Sequence, residues 1–364
     1  MATIIATADA IQKPDTDYRQ YRAITLPNNM QALLIHDPKT EKAAACMAVK
    51  VGSMFDPPQF QGIAHFLEHM LFLGTQKYPE EDSYNKFLAQ NGGRSNAFTS
   101  DTNTVYFFTV NSSALDGALD RFSYFFKEPL FTQSATDREV QAVNSENSKN
   151  LQVDVWRMMQ LERELVFNKE HPSYHFGTGN KETLKQIPRD ALLDFHNKWY
   201  SSNIMKLAVI GNESLEELQE SVLEKFSPVL NKNVYIPVDA EFGDASFLRE
   251  IGRSLSDGVT HVDHVASAAR GLVSFVVPIK EIRQVDFAFF MPTQSPLWTT
   301  KPARYLSHIF GHEGEGSLLS ALKAQGLATG LSAGAVYDTA GLSVFKISVA
   351  IPNSAFQNAG NPWT

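Results

Sequence analysis

Cysteine is nearly absent: Cys46 stands alone among 364 residues. One thiol can form no intramolecular disulfide and no cysteine-rich zinc site, and a reducing compartment is the setting that fits. Long apolar runs are missing as well. No stretch approaches the roughly 18 consecutive apolar residues that mark a transmembrane helix. The opening MATIIATADAIQKPDTDYRQYR has neither the basic start and apolar core of a secretory signal nor the Arg-rich, acid-poor character of a transit peptide. These absences point to a cytoplasmic protein without a membrane span. Dense Lys/Arg runs are also lacking, and 32 basic against 40 acidic residues leave a formal net charge of -8. Nucleic acid is therefore not an expected partner, because phosphate neutralisation needs a basic face.

What is present is core-forming material. With 43% hydrophobic and 20% charged residues, a chain of this length has enough for two domains. YRAITLP, MQALLIHD and AAACMAVKVGSMF read as three strands of a small antiparallel meander, divided by NN and PKTEK. A helix is expected from about Gly62 to Leu73, stopped by Gly74, and another from about Glu80 to Gln90, ended by NGG. RSNAFTS and TNTVYFFTVN read as strands and SSALDGALDRFSYFF as a helix, and residues 134–167 read as one long helix. IPRDALLDFHNKWY and SLEELQESVLEKF are helical around the strand IMKLAVIGN, the second helix opened by Ser214. Strands and helices mix without a strict βαβ rhythm, which favours an α+β layered fold.

Around 230–270 the pattern loosens into a linker or insertion in which His261 and His264 read as loop residues; strand-like GLVSFVVPI and VDFAFFMP follow. The chain then begins to repeat itself. AHFLEHMLF at 64–72 laid over ARYLSHIFG at 303–311 keeps the apolar positions and the second histidine, with strands following in both copies. Arg304 and Ser307 replace the first His and the Glu there, so the chemistry cannot be duplicated.

That chemistry centres on HFLEH. At about 100° per residue, His65 and His69 project from one narrow helical face with Glu68 beside them. Ile63, Phe66, Leu67, Met70, Leu71, Phe72 and Leu73 cover the rest of the helix and mark it as buried. Two imidazoles and a carboxylate without partners would cost several kcal/mol in such surroundings. Zn2+ compensates them: two neutral imidazoles at i, i+4 reach one ion at about 2.0–2.1 Å, with room for a third ligand and a water. Glu68 is placed to take a proton from that water. Read backwards, the motif is the HExxH of ordinary zinc proteases. The long helix supplies third-ligand candidates, Glu139 and Glu146, two turns apart on one face; either could ligate while the other orients a histidine.

GIAHFLEHMLFLGT, NGGRSNAFTS, REVQAVNSENSKN, WRMMQLER and HPSYHFGTGNKETL together resemble the insulysin and pitrilysin family of inverted-motif zinc peptidases. The resemblance is dense over about 20–230 and resumes from VVPIKEIR to about Ala350; MLFLGT with NAFTS points to the insulysin branch rather than the mitochondrial processing peptidases. It implies a two-layer α/β sandwich with a partial second copy: a catalytic domain at 1–230, a linker or insertion at 231–268, and an incomplete, non-catalytic, exosite-bearing domain at 269–364. It implies zinc held by His65, His69 and Glu146, Glu68 as general base, and Glu139 in support. Asn96, Ala97 and Phe98 match an edge strand that takes an extended peptide as an added strand. Phe72 and Trp156 match positions beside the scissile bond, and His308, Gly311, Glu313 and Leu331 fall on a segment that anchors the amino end of a peptide. The implied activity is endopeptidase cleavage of short or unfolded polypeptides. Relatives have four such domains in two halves, so a carboxy-terminal half or second subunit is an expected partner. A non-catalytic peptide-binding or regulatory subunit that keeps a zinc site, and a processing-peptidase-like subunit that needs a second chain, are the alternatives.

Overall fold

The computed structural model describes residues 2–6, 10–185, 187–236, 271–339 and 342–354. Most of the linker expected at 231–268, with His261 and His264, lies outside the described residues. Contacts divide the chain into one unit of Met1–Asn150 and His175–Ile236 and another of Leu151–Tyr174 and Pro237–Thr364. Residues 151–174, inside the span 1–230, therefore group with the carboxy-terminal residues.

In the first unit the strands are β1 (Thr3–Ala6), β2 (Gln20–Thr25), β3 (Gln31–His36), β4 (Lys42–Val49), β5 (Arg94–Thr99), β6 (Thr104–Asn111) and β7 (Met205–Gly211). Its helices are α1 (Ile63–Met70), α2 (Ser83–Gln90), α3 (Leu115–Tyr124) and α4 (Gln133–Asn150); α5 (Asp154–Val166) belongs to the second unit, and α6 (Arg189–Trp199) and α7 (Leu215–Phe226) complete the first. The seven strands form one sheet in the order β1-β2-β3-β7-β4-β6-β5. The expected meander is thus interrupted: β2 and β3 pair antiparallel, but β7 inserts between β3 and β4, parallel to the former and antiparallel to the latter. The cause is long-range, since β7 alternates buried and half-exposed residues and satisfies both inner edges at once.

Register explains the layering. Ile24, Ala32, Leu207, Met47, Tyr106 and Ala97 are successive partners across six strands, so they share the face on which the helices pack. Helices α1, α2, α3 and α7 lie against the sheet. Phe108, Phe122, Phe125 and Phe126 fill the space between, Phe122 meeting Phe108 and Phe126 edge-to-face at 5.3 and 5.2 Å and Phe125 at a tilt at 5.6 Å. Helix α7 starts where the sequence marks it: the Ser214 hydroxyl accepts from the Glu217 N–H while the Glu217 carboxylate accepts from the Ser214 N–H.

The second unit holds β8 (Gln284–Met291), α8 (Pro302–Phe310), α9 (Leu318–Ala324), β9 (Gly330–Thr339) and β10 (Leu342–Ala350), with an antiparallel sheet ordered β8-β10-β9. This order reproduces β4-β6-β5, and α8 packs on β9 as α1 packs on β5. The repeat seen in the sequence is therefore a repeat of architecture.

Two further expectations fail. Residues 134–167 do not form one helix: Val153 is extended (φ -118, ψ 118) between α4 and α5. There Asp154 opens α5 and accepts from the N–H groups of Ile279 and Lys280 at 2.8 and 2.9 Å, partners too far along the chain for local periodicity to register. Those same bonds hold the end of GLVSFVVPI, which pairs with no strand among the described residues.

Candidate metal centre

Helix α1 is fixed before its histidines are placed. Gly62 precedes it at φ 94, and the buried Asp56 carboxylate accepts from the Gly62 and Ala64 N–H groups at 2.6 and 2.9 Å, satisfying donors that a helix start leaves open. Ile63, Ala64, Phe66, Leu67 and Met70 are buried, which turns His65, Glu68 and His69 to the remaining side. A Cβ at Gly62 would stand 2.3 Å from the Cα of Gly179, so only glycine lets the 177–179 loop come this close. From that loop the Thr178 carbonyl accepts from His65 Nδ1 at 2.8 Å.

His69 is held in the same manner: its Nδ1 donates to Glu139 Oε1 at 2.8 Å. With both Nδ1 atoms committed, the two Nε2 atoms are the ring atoms left to act as metal ligands. Glu146, two turns along α4 from Glu139, brings its Oε2 to 3.7 Å from His65 Nε2 and 3.5 Å from His69 Nε2. Among the described residues, His65, His69 and Glu146 are the group of three potential ligand atoms that all lie within 4.8 Å of one another. Ligands about 2.0–2.1 Å from a tetrahedral ion stand roughly 3.3–3.4 Å apart, so both nitrogen-to-Glu146 distances fit zinc with a contraction of a few tenths of an ångström, while the two ring nitrogens lie within 4.8 Å of each other. The geometry also separates the two glutamates, Glu146 facing both rings and Glu139 behind one.

Charge follows geometry. Burial works against a proton on His69, but its bonds to Glu139 and Glu146 prevail and raise its pKa to about 9 without metal. The same bond to His69 holds the Glu146 carboxyl below its ordinary range. A divalent ion in this position must therefore displace a proton from His69. Glu68 is 7% exposed; burial raises its pKa, partly offset by His65 and by a hydrogen bond from Thr99 Oγ1 to its Oε2 at 2.6 Å.

The peptide-contact candidates are more dispersed. Asn96 and Phe98 are exposed on β5, with Ala97 turned toward the helices. Strand β5 is the last in its sheet, so one of its edges is unpaired among the described strands. Phe72 packs among Tyr84, Tyr106 and Phe125. Trp156 is exposed on α5 in the second unit. In that unit His308, Gly311 and Glu313 line a hollow of about 680 Å³ with Arg304, Ser307, His312 and Gly314, while Leu331 lies on β9. Sequence reasoning missed Asp56, Thr178 and Thr99. For Thr99 the period-2 alternation of β5 carried a usable signal, since it puts residues 95, 97 and 99 on one face.

Two family models match in succession: Insulinase (Peptidase family M16) over residues 31–169 and Peptidase M16 inactive domain over residues 186–360. The chain is 43% identical, over 94% of its length, to the A-factor-processing enzyme of Saccharomyces cerevisiae, of which it covers 32%. It is 44% identical, over 93% of its length, to the insulin-degrading enzyme of Homo sapiens, again covering 32% of that protein. Its fold is similar to the crystal structure of pitrilysin, with a TM-score of 0.86 and 32% identity, across 98% of this chain and 36% of the other. The chain spans about a third of the length of the curated relatives it matches. Among the described residues, no helix is long and apolar enough to cross a membrane.

Proposed function

Because the chain belongs to the insulinase family of M16 peptidases, we propose that it is the zinc-binding part of an insulysin-like metalloendopeptidase that hydrolyses peptide bonds in short or unfolded polypeptides. One observation carries the reading: two imidazole Nε2 atoms and a carboxylate oxygen converge within 4.8 Å beside a nearly buried glutamate. In this reading His65, His69 and Glu146 hold Zn2+, and Glu139 and the Thr178 carbonyl fix the tautomers of the two rings. Bound zinc supplies Lewis acidity, which makes water a competent nucleophile near neutral pH. Glu68 takes a proton from the attacking water and gives it to the departing amine as the C–N bond breaks, so each turnover returns it to the carboxylate. An extended peptide adds at Asn96, Ala97 and Phe98 along the edge of β5 that is unpaired among the described strands, with Phe72 beside the scissile bond; Trp156, in the second unit, is a separate candidate for substrate contact. His308, Gly311, Glu313 and Leu331 receive the amino end.

Full activity calls for a partner, either a carboxy-terminal half or a second subunit. What supports this is β8, an edge strand among those described, with Phe287 and Phe289 51% and 53% exposed, surface that folded proteins normally cover. A cytoplasmic setting accords with the single cysteine. The test is a quenched fluorogenic peptide incubated with the zinc-loaded chain, with and without chelator. Cleavage that chelator stops is expected, and Glu68→Gln should retain zinc while losing about 10²–10⁴-fold in rate. Undiminished cleavage by that variant would overturn the role of Glu68; cleavage only after a second chain is added would favour a processing-peptidase-like subunit.

A further inference from the structure

We propose that Thr99 is a positioning residue for Glu68, its hydroxyl holding one carboxylate oxygen so that the other is presented to the reacting water; this rests on the peptidase reading above. Among the described residues, Thr99 gives the Glu68 carboxylate its hydrogen bond, Oγ1 to Oε2 at 2.6 Å, a length typical of a charge-assisted O–H···O contact. A carboxylate only 7% exposed needs such a donor, because desolvation of an unpaired charge is expensive.

The threonine has one proton and two acceptors in reach. The second is Thr104 Oγ1, farther away at 3.5 Å. Thr104 is fully buried and commits its own proton to the Val51 carbonyl at 2.8 Å, so it cannot replace Thr99 as donor. The shorter bond to Glu68 wins, and rotation of the carboxylate is restrained. Thr104 is also the cross-strand partner of Thr99, so the pair is set by the β5–β6 register rather than by a mobile loop.

The position within β5 adds a consequence. Thr99 ends the strand whose outward residues Asn96 and Phe98 border the free edge, and shares the helix-facing side with Ala97. A peptide paired to that edge thereby braces the backbone that orients the base. The effect belongs in turnover more than in binding, since hydrogen bonds to a docked strand come from main-chain groups that side-chain replacement leaves in place.

The experiment compares zinc-loaded wild type, Thr99→Val and Thr99→Ser. Thr99→Val should lower kcat tenfold or more with KM within about twofold and zinc content unchanged, and Thr99→Ser, which restores a hydroxyl, should recover most of the loss. Equal rates in all three, or equal losses in both variants, would overturn the assignment. A second readout does not need turnover: the melting temperatures of Thr99→Val, Glu68→Leu and the double variant. Non-additive shifts support the contact, and additive shifts reject it. Should wild type fail to cleave even with a second chain added, while the shifts are non-additive, the peptidase reading falls and the Thr99–Glu68 contact stands.

Discussion

Helices α1 and α8 occupy equivalent places in two copies of one architecture, yet they carry different side chains in different surroundings. Where α1 has His65, Glu68 and His69, α8 has Arg304, Ser307 and His308. Helix α1 buries six of its eight residues, whereas α8 leaves Tyr305, Leu306 and Ile309 exposed, the last by 64%. Strand β4 is flanked by β7 and β6, but its counterpart β8 has β10 on one side and no strand on the other among those described. The repeat therefore supplies a scaffold and does not by itself supply a site. A metal centre also needs a second helix to deliver carboxylates, as α4 does, and a closed core to hold both in register.

The comparison breaks most visibly at the shared histidine. His69→Ala should abolish stoichiometric zinc binding, measured by metal analysis after dialysis, because two remaining ligands do not hold the ion against buffer. His308→Ala should leave zinc content unchanged; loss of metal there would mean that the copies are not chemically distinct. Core closure gives the next effect. Phe122, fully buried among four phenylalanines, should cost about 3–5 kcal/mol when replaced by Ala. Phe287→Ala on exposed β8 should change unfolding free energy by less than about 1 kcal/mol, and a larger loss in denaturant titration would show that β8 is already covered.

An effect smaller than core truncation concerns pH. Burial, aided by the nearby Lys232 charge, lowers the pKa of His196 from 6.5 to about 3, with only a 3.3 Å bond to the Phe125 carbonyl opposing it. The unfolded chain binds this proton below about pH 6.5 and the folded one does not until about pH 3. The stability contributed by neutral His196 is therefore complete above the first value and lost progressively on acidification toward the second. Near pH 5.5 the loss from this group is about 1.4 kcal/mol. A His196→Gln variant should show a correspondingly flatter decline of unfolding free energy between pH 7 and about 5.5; an unchanged slope would remove His196 from the account.

Much of the molecule could be read without coordinates wherever the governing interaction is local. The i, i+4 histidines share a face because helical period is a property of a few consecutive residues, and Ser214 with Glu217 announces its cap for the same reason. Alternation along β4 and β6 marks their buried faces, and the second copy was legible as spaced similarity. Readings failed where distant segments decide. The insertion of β7 between β3 and β4, and the break between α4 and α5 at an aspartate that binds main-chain N–H groups of residues 279 and 280, both depend on partners more than a hundred positions away.

The site divides along the same line. By itself the sequence determined that α1 would present two imidazoles and a carboxylate from one narrow, otherwise apolar helix, since side-chain direction follows from backbone period alone. Only the tertiary structure decided that Glu146 faces both Nε2 atoms while Glu139 stands behind His69, that the Thr178 carbonyl reaches His65, and that Thr99 meets Glu68. Those contacts join four separate segments of chain, and their distances are set by how helices, loop and sheet pack, which no short window of residues contains.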